Sequence, residues 1–223
     1  LRSGDREVVE NLRSVVYGIL GAVKPFENEF GLIENMPGWT FVEWSRANDK
    51  DVTCGVSFPS NMLYAGALEA AGRMYGDEAL IQQAERVRAA VRELAFNGEF
   101  FVDNAIRENG RLVQTANTTE TCQYYAFALR TATTETHPAL WQTMIEAFGP
   151  DRKRENRYPN VAFSNAFIGN YLRMIALMDN GCYEQALSEV RGYFGFMAKA
   201  NGALWEFDST RGSCCHGFAA YAG

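Results

Sequence analysis

Long apolar runs are absent from this chain of 223 residues. No stretch approaches the ~20 consecutive apolar residues that a helix needs to cross a bilayer. The chain also does not open with the basic, apolar and small-residue regions of a secretory signal peptide. We therefore expect a soluble protein of the cytoplasm or periplasm that does not act in a membrane. The sequence leaves the exact compartment and the oligomeric state open.

Histidine is scarce, and the cysteines are odd in number and widely scattered apart from Cys214-Cys215. The chain has two histidines and five cysteines, and no two cysteines are spaced as Cys-x-x-Cys. Structural zinc sites use four Cys or His ligands at short spacings, and disulfide frameworks use even numbers of cysteines. The sequence thus predicts neither a metal centre nor a disulfide framework, and we expect no cofactor.

An excess of basic residues is missing as well. The net charge is -6 and the isoelectric point is near 5.1. Nucleic-acid-binding domains carry a basic patch that neutralises phosphates. The composition therefore argues against nucleic acid as a partner and favours a neutral or weakly charged ligand. The one dense run of charge, residues 151–155, is interpreted as a solvated loop.

Apolar residues, by contrast, recur at helical spacing along most of the chain. Hydrophobic residues make up 47% of the sequence, which is enough for a substantial core. A helix is predicted at 6–22, and the other predicted helices pair into three hairpins joined by turns. These hairpins are 61–75 with 80–94, 121–130 with 137–148, and 165–178 with 183–197. The sequence predicts an all-α architecture.

The direction of these helices places several polar residues together. If the more apolar helix of each hairpin lies inside, the inner helices run the same way and their N-termini share one end. Long connections, which often carry function, are predicted at 24–57, 97–117, 149–161 and 201–213. Glu43, Glu120, Glu206 and His216 fall in or beside these connections or near the start of an inner helix. We expect function to collect at that end.

The most informative stretch is Trp205-Glu206, followed ten residues later by His216. A carboxylate can activate water or bind sugar hydroxyls, an indole offers a flat face to a pyranose ring, and an imidazole can orient either group. This combination favours a sugar-processing site. The simpler alternative is an ordinary helix end, where Trp-Glu pairs also occur.

The chain resembles the catalytic (α/α)6 toroids of glycoside hydrolases, most closely the α-L-rhamnosidase family. Residues 38–44, Gly-Trp-Thr-Phe-Val-Glu-Trp, resemble the acidic-Trp loop of that family, and residues 204–206, Leu-Trp-Glu, resemble its Trp-Glu motif. Residues 215–218, Cys-His-Gly-Phe, are similar to its Asn-His-aromatic segment, and residues 58–101 resemble the intervening hairpin. The resemblance implies helical hairpins that form all or part of an (α/α)6 toroid. We expect residues 1–223 to be a single toroid catalytic domain that lacks its N-terminal part.

The resemblance also implies roles for individual residues. Glu206 would be the general base that deprotonates the attacking water, and His216 would contact the substrate or orient the base. Trp39 and Trp44 would wall the sugar subsite, and Trp205 would bind the substrate beside them. The implied reaction is hydrolysis of a terminal, rhamnose-like glycosidic bond with inversion, which needs no metal.

The general acid of the family is missing from the sequence. It belongs to an Asp-Glu-Arg segment followed by Gly-Trp, and no such string occurs here. The acid would then lie outside these residues or be another carboxyl. Glu43, flanked by aromatic residues that would raise its pKa, is the preferred internal candidate. Cys215 also stands where the family shows Asn, which weakens the assignment to rhamnose.

Several polar residues have simpler interpretations beside the functional one. Glu120 opens a helix, where the helix dipole favours a charged carboxylate, so it suits hydroxyl binding or water activation better than acid catalysis. It is equally suited to be an ordinary first-turn residue, as Glu43 is to be a surface charge. Asn160 and Asn165, near the start of an inner helix, are candidates for sugar contact, but capping is the simpler role.

Two functions of other classes remain open. One is a carbohydrate-binding toroid without chemistry that keeps Trp39, Trp44, Trp205 and His216 as a ligand cradle. The other is a helical array that binds a peptide, and the uneven spacing of the hairpins argues against it.

Overall fold

The computed structural model describes residues 4–166 and 168–217. Phe218, the last residue of the segment that resembles the Asn-His-aromatic motif, lies outside the described residues. Over the described ranges the chain consists of helices joined by loops, with one small three-stranded sheet. The predicted all-α class is therefore confirmed.

The helices are α1 (Arg6–Asn11), α2 (Arg13–Val23), α3 (Lys50–Thr53), α4 (Phe58–Tyr75), α5 (Glu78–Ala95), α6 (Glu120–Ala128), α7 (Pro138–Ala147), α8 (Arg152–Glu155), α9 (Gly169–Asp179) and α10 (Tyr183–Asn201). The strands are β1 (Val56–Ser57), β2 (Asn104–Glu108) and β3 (Arg111–Gln114). The three predicted hairpins correspond to α4 with α5, α6 with α7, and α9 with α10. The predicted opening helix is divided into α1 and α2.

The turn between α4 and α5 follows from its residues. Gly76 ends α4 in the left-handed region at φ 67°, which glycine adopts without strain. Asp77 then caps α5, and its side chain accepts hydrogen bonds from the backbone amides of Ala79 and Leu80. Gly72 lets the two helices approach closely, because a Cβ there would lie 2.6 Å from Cγ1 of Ile81. The result is a tightly packed antiparallel pair.

The more apolar helices α4, α6 and α9 form an inner row, in which α6 contacts both of the others. All residues of α6 from Glu120 to Phe127 are buried. The amphipathic helices α5 and α10 bury fewer positions, since each packs one face against its inner partner. The main core includes residues of the three inner helices and of α5, and the buried apolar residues of α10 belong to two smaller clusters.

The N-termini of the inner helices lie at one end of the row, as the sequence predicts. Phe58, the first residue of α4, donates its amide to the carbonyl of Asp103 (2.8 Å). Asp103 in turn donates its amide to the carbonyl of Asn117, just before α6 (2.8 Å). Thr119 and Ala162 then form a parallel bridge that leads towards α9. A continuous backbone network thus holds the three helix starts together.

The sheet was not predicted, since the sequence analysis treats residues 97–117 as an irregular connection. Strands β2 and β3 form an antiparallel hairpin in which Glu108 pairs with Arg111, and β1 pairs with the other edge of β2. Its turn is Asn109-Gly110, with φ of 50° and 81°. Asn-Gly favours this type of turn because both positions need positive φ. The hairpin leads the chain from α5 to the start of α6.

Among the described helices, none combines the length and the apolar character that crossing a membrane requires.

Candidate active site

Glu43 is fully buried behind the N-termini of the inner helices. Its Oε2 accepts hydrogen bonds from Oγ1 of Thr121 (2.6 Å) and Oγ of Ser45 (2.7 Å). Its Oε1 accepts one from the backbone amide of Gly169. A side chain at Gly169 would not fit, because a Cβ there would lie 2.6 Å from Oε1. Glu43 therefore joins the loop that carries it to the first residues of α6 and α9.

The environment of Glu43 favours its neutral form. Burial raises the pKa of the carboxyl, and the hydrogen bonds from Thr121, Ser45 and the backbone amides of Gly169 and Asn165 oppose that rise. A raised pKa is what a general acid requires. The carboxyl is nevertheless enclosed, since its oxygens hold these donors and none of its surface is exposed.

Glu120 is the first residue of α6, behind the N-cap Thr119, whose side chain accepts a hydrogen bond from the amide of Cys122. The Glu120 side chain is 4% exposed. Its Oε1 forms an ion pair with Nη1 of Arg152 (2.8 Å), and its Oε2 accepts the amide of Ser164 (2.8 Å). Because both charges are buried together, each offsets much of the other's desolvation cost.

Arg152 corrects the prediction that residues 151–155 are a solvated loop. The other four residues of this run are exposed, but Arg152 is buried. Its guanidinium lies over the rings of Phe148 and Phe163, 4.7 and 4.3 Å from their centroids. A planar, weakly hydrated guanidinium suits such a stacked and paired position better than an ammonium does. Charge patterning alone did not distinguish this arginine from its neighbours.

Asp103 is a third buried carboxyl, and the sequence analysis missed it. It is 0% exposed, and its Oδ1 accepts a hydrogen bond from Oγ1 of Thr119 (2.7 Å). Burial raises the pKa of Asp103 to about 7, while hydrogen bonds from Thr119 and the charge of Arg46 act in the opposite direction and Glu43 adds to the rise. Asp103 therefore supports the N-cap of the helix that presents Glu120.

A cavity of about 630 Å³ lies beside these carboxyls. Aromatic residues contributed by four different parts of the chain form much of its wall: Trp44, Phe163, Tyr193, Phe196 and Phe207. Polar residues at the starts of α6 and α9 also line it: Glu120, Ser164, Asn165 and Asn170. Cavities of this size with aromatic walls and a few convergent polar groups are typical of small-ligand sites. Glu43 itself is not among the described residues of the lining.

The segment 202–217 forms a loop at one side of this cavity. Glu206 donates its amide to the carbonyl of Ser213 (2.9 Å), and Oε2 of Glu206 accepts the amide of Ser213 (3.1 Å). Phe207 and Asp208 line the cavity, while Glu206, which is half-buried, is not among its described lining residues. An ion pair between Asp208 and Nζ of Lys153 (2.8 Å) ties the loop to α8. Glu206 thus lies one residue from the cavity wall.

His216 and Trp205 occupy the same loop as Glu206. The amide of His216 donates to the carbonyl of Leu204 (2.8 Å), and its side chain is half-buried. Trp205 is 8% exposed, and its ring meets Phe196 edge to face at 5.5 Å. Its Nε1 donates to Oδ1 of Asn201 (2.9 Å). In this position the indole anchors the loop on α10, and its sugar-binding role stays a prediction.

Trp39 and Trp44 belong to one aromatic cluster but line different cavities. The ring centroids of Trp39 and Trp44 are 5.4 Å apart, and Phe41 lies 5.1 and 5.0 Å from them. Trp44 lines the cavity described above, whereas Trp39 and Phe41 line a second one of about 690 Å³. The structure therefore brings Trp44 and Glu120 to one cavity and places Trp39 on the other side of the cluster.

Comparison with known proteins gives no matching family model and no matching curated protein. Solved structures do match. A GH78 family rhamnosidase of Bacillus sp. GL1 superimposes with a TM-score of 0.77 at 17% identity over 98% of this chain. A rhamnosidase from Klebsiella oxytoca, with rhamnose bound, superimposes with a TM-score of 0.65 at 13% identity over 95% of this chain. The chain has a rhamnosidase-like fold.

The resemblance drawn from the sequence is thus confirmed at the level of the fold, and the helical hairpins fit a helical toroid. The chain spans 24% of the length of the Bacillus protein and 41% of that of the Klebsiella protein. At these identities the likeness describes a glycoside hydrolase-like fold and assigns no role to any residue. Within the part of the chain described, no group of three or more His, Cys, Asp or Glu side chains could hold a metal ion.

Proposed function

We propose that this chain is the catalytic toroid portion of a glycoside hydrolase that cleaves a terminal, rhamnose-like glycosidic bond with inversion. The observation that carries the proposal is the 630 Å³ cavity, which combines aromatic walls with buried polar groups and lies beside the loop of Glu206. The rhamnosidase-like fold supports the same class of ligand. Aromatic faces with a few placed polar groups suit a pyranose, which has apolar faces and polar edges.

Glu206 acts as the general base in this proposal. The Ser213 amide donates to its Oε2 and so fixes the direction of the carboxylate. Among the described residues, none donates a hydrogen bond to Oε1, which leaves that oxygen for a water molecule. A positioned carboxylate of this kind contributes to hydrolysis by taking a proton from the attacking water. His216, in the same loop, orients the base or the sugar. Trp44 forms the wall of the sugar subsite.

Two carboxyls are candidates for the general acid: Glu43, and a carboxyl outside these residues. Glu43 has the raised pKa that the role requires, but it would have to exchange its enclosing donors for the glycosidic oxygen. A carboxyl outside these residues, reaching the cavity from the remainder of a toroid, is the alternative. In both cases Glu120, paired with Arg152, serves as a hydroxyl acceptor.

A non-catalytic, carbohydrate-binding toroid is the second candidate. The enclosure of Glu43 favours it, since a cavity with no available acid binds sugar without cleaving it. The two functions differ in turnover and agree in ligand affinity, so both quantities must be measured on the same protein.

The test compares the wild-type chain with Glu206→Gln for hydrolysis of an aryl α-L-rhamnoside and for binding of L-rhamnose. The substitution keeps the shape and removes the base, so we expect the rate to fall by roughly 10²- to 10⁴-fold with little change in affinity. Glu184→Gln, on the exposed start of α10, is the matched control and should keep the wild-type rate. A wild-type rate in Glu206→Gln would reject the assignment of the base. Rhamnose binding without any hydrolysis by the wild type would select the binding toroid instead.

A further inference from the structure

The side-chain amide of Asn165 has a donor, Nδ2, that makes no hydrogen bond to any described residue. The side chain lines the cavity and is 8% exposed. Its Oδ1 accepts the backbone amide of Ala166 (2.8 Å), and a backbone amide can only donate, so the oxygen and nitrogen of the side chain are assigned without ambiguity. Nδ2 is buried and has no hydrogen-bond partner among the described residues. Buried donors are rarely left in this state without a reason.

Capping does not explain Asn165. The N-cap position of α9 is occupied by Ile168, which makes no side-chain capping bond. The Asn165 carbonyl accepts the amide of Asn170, and its Oδ1 bonds the adjacent residue, so both of its acceptors serve the local backbone. No described residue accepts a hydrogen bond from Nδ2, and its two hydrogens are therefore available to a ligand.

Glu120 supplies an acceptor in the same cavity. A carboxylate has about four lone-pair sites. One oxygen of Glu120 is paired with Arg152 and the other holds the amide of Ser164, the residue that immediately precedes Asn165. About two lone pairs therefore remain, on a carboxylate that also lines the cavity. Because Ser164 directly precedes Asn165, this hydrogen bond ties the Glu120 carboxylate to the segment that carries the Asn165 side chain.

We propose that Asn165 and Glu120 form the polar floor of the cavity and bind two neighbouring hydroxyls of a pyranose, Nδ2 donating to one and the carboxylate accepting from the other. The inference rests on the carbohydrate ligand of the proposed function and makes Asn165 a specificity-determining residue. Arg152 compensates the charge of Glu120, so the floor suits a neutral diol rather than a sugar carboxylate. A hydroxyl both donates and accepts, and this pair uses both capacities.

The experiment measures binding of L-rhamnose and its monodeoxy analogues by calorimetry, using wild type, Asn165→Asp and Asn165→Ala. Asn165→Asp keeps an acceptor for the Ala166 amide and replaces the donor by a carboxylate, whereas Asn165→Ala removes both groups without adding a charge, so a loss common to both variants reports the donor. We expect both variants to bind rhamnose at least tenfold more weakly. With the wild type, one deoxy analogue should bind more weakly than rhamnose by the same factor. With the variants, that analogue and rhamnose should bind equally well. Asn11→Ala, at the exposed end of α1 and outside the lining of this cavity, should bind like wild type.

Equal affinity of the wild type and Asn165→Asp would overturn the inference, as would equal losses for every deoxy analogue in all proteins. Failure of the wild type to bind rhamnose or any other hexopyranose would overturn it as well. Turnover of the aryl rhamnoside is recorded separately. Rhamnose binding that depends on Asn165, with no hydrolysis, would leave this floor in place and reject only the catalytic proposal.

Discussion

The carboxyls at the helix starts and the carboxyl of the 202–217 loop are held in opposite ways. Glu43, Glu120 and Asp103 are almost completely buried and contact groups from other elements of the fold. Glu206 is half-buried, and its recorded hydrogen bond goes to Ser213 in its own loop. The first three are tied to tertiary structure, while Glu206 depends on a local segment.

This difference separates two tasks that a sugar site requires. Groups that hold a ligand in register must resist movement, and burial with several donors provides that rigidity. A base that accepts protons from water needs access to water and a carboxylate that stays charged. We therefore expect substitutions at the helix starts to act first on folding and substitutions in the loop to act first on the reaction.

The largest expected effect is on stability, at Glu43. Glu43→Ala leaves the donors of Thr121, Ser45 and Gly169 buried and unpaired, at about 1–3 kcal/mol each. We expect the free energy of unfolding to fall by roughly 3 to 6 kcal/mol, measured by urea denaturation. Glu206→Ala, which removes one partly exposed bond, should cost about 1 kcal/mol or less. Equal losses for the two variants would remove the distinction between the regions.

The next effect is a pH dependence of stability at Asp103. The folded protein holds this proton up to about pH 7, against an ordinary pKa of 3.8. Because the folded pKa is raised, the stabilising contribution is complete below about pH 4 and is lost as the pH rises through about 7. Relative to Asp103→Asn, wild type should lose at most about 4 kcal/mol of unfolding free energy across this window.

Urea denaturation at several pH values measures this difference in slope. Asp179→Asn, at the exposed end of α9, is the control for removal of one charge and should follow the wild-type slope. Parallel curves for wild type and Asp103→Asn would show that the buried carboxyl does not titrate in this range.

The smallest effect tests the loop through one of its glycines. A Cβ at Gly212 would lie 2.7 Å from Oε2 of Glu206 and 2.6 Å from the Phe207 ring, so Gly212→Ala must displace the carboxylate or the ring. We expect hydrolysis to fall about tenfold, which corresponds to about 1.4 kcal/mol, with a smaller change in stability. Gly21→Ala, within α2, where a Cβ meets no described atom within 4 Å, is the control. A normal rate in Gly212→Ala would mean that the orientation of Glu206 is unimportant.

Helix positions were accessible from the sequence because they follow from apolar periodicity. The spacing of Leu80, Ala84, Val87 and Val91 marks one face of α5, and Gly76-Asp77 marks the turn before it. The common end of the inner helices followed from the alternation of apolar and amphipathic helices. The hairpin of β2 and β3 was missed even though Asn109-Gly110 is a typical turn signal, because the flanking strands are short and polar.

The partners of the carboxyls were not accessible in the same way. Arg152 lies 32 positions along the chain from Glu120, within a run of charges that gives no sign of burial. Asp103 follows Val102 in a connecting segment and resembles an ordinary turn residue. Which long-range pairs form depends on how the helix starts are packed, and a single sequence does not encode that pattern locally.

The aromatic cluster of Trp39, Phe41 and Trp44 lines both cavities, Trp44 on one and the other two residues on the other. Since its rings are in mutual contact, a guest that pushes Trp44 aside must also disturb Trp39. Two of the four tryptophans of the chain therefore sense events on both sides of this cluster. Binding of a ligand in either cavity is therefore expected to change the intrinsic tryptophan fluorescence, which can be measured without an attached dye.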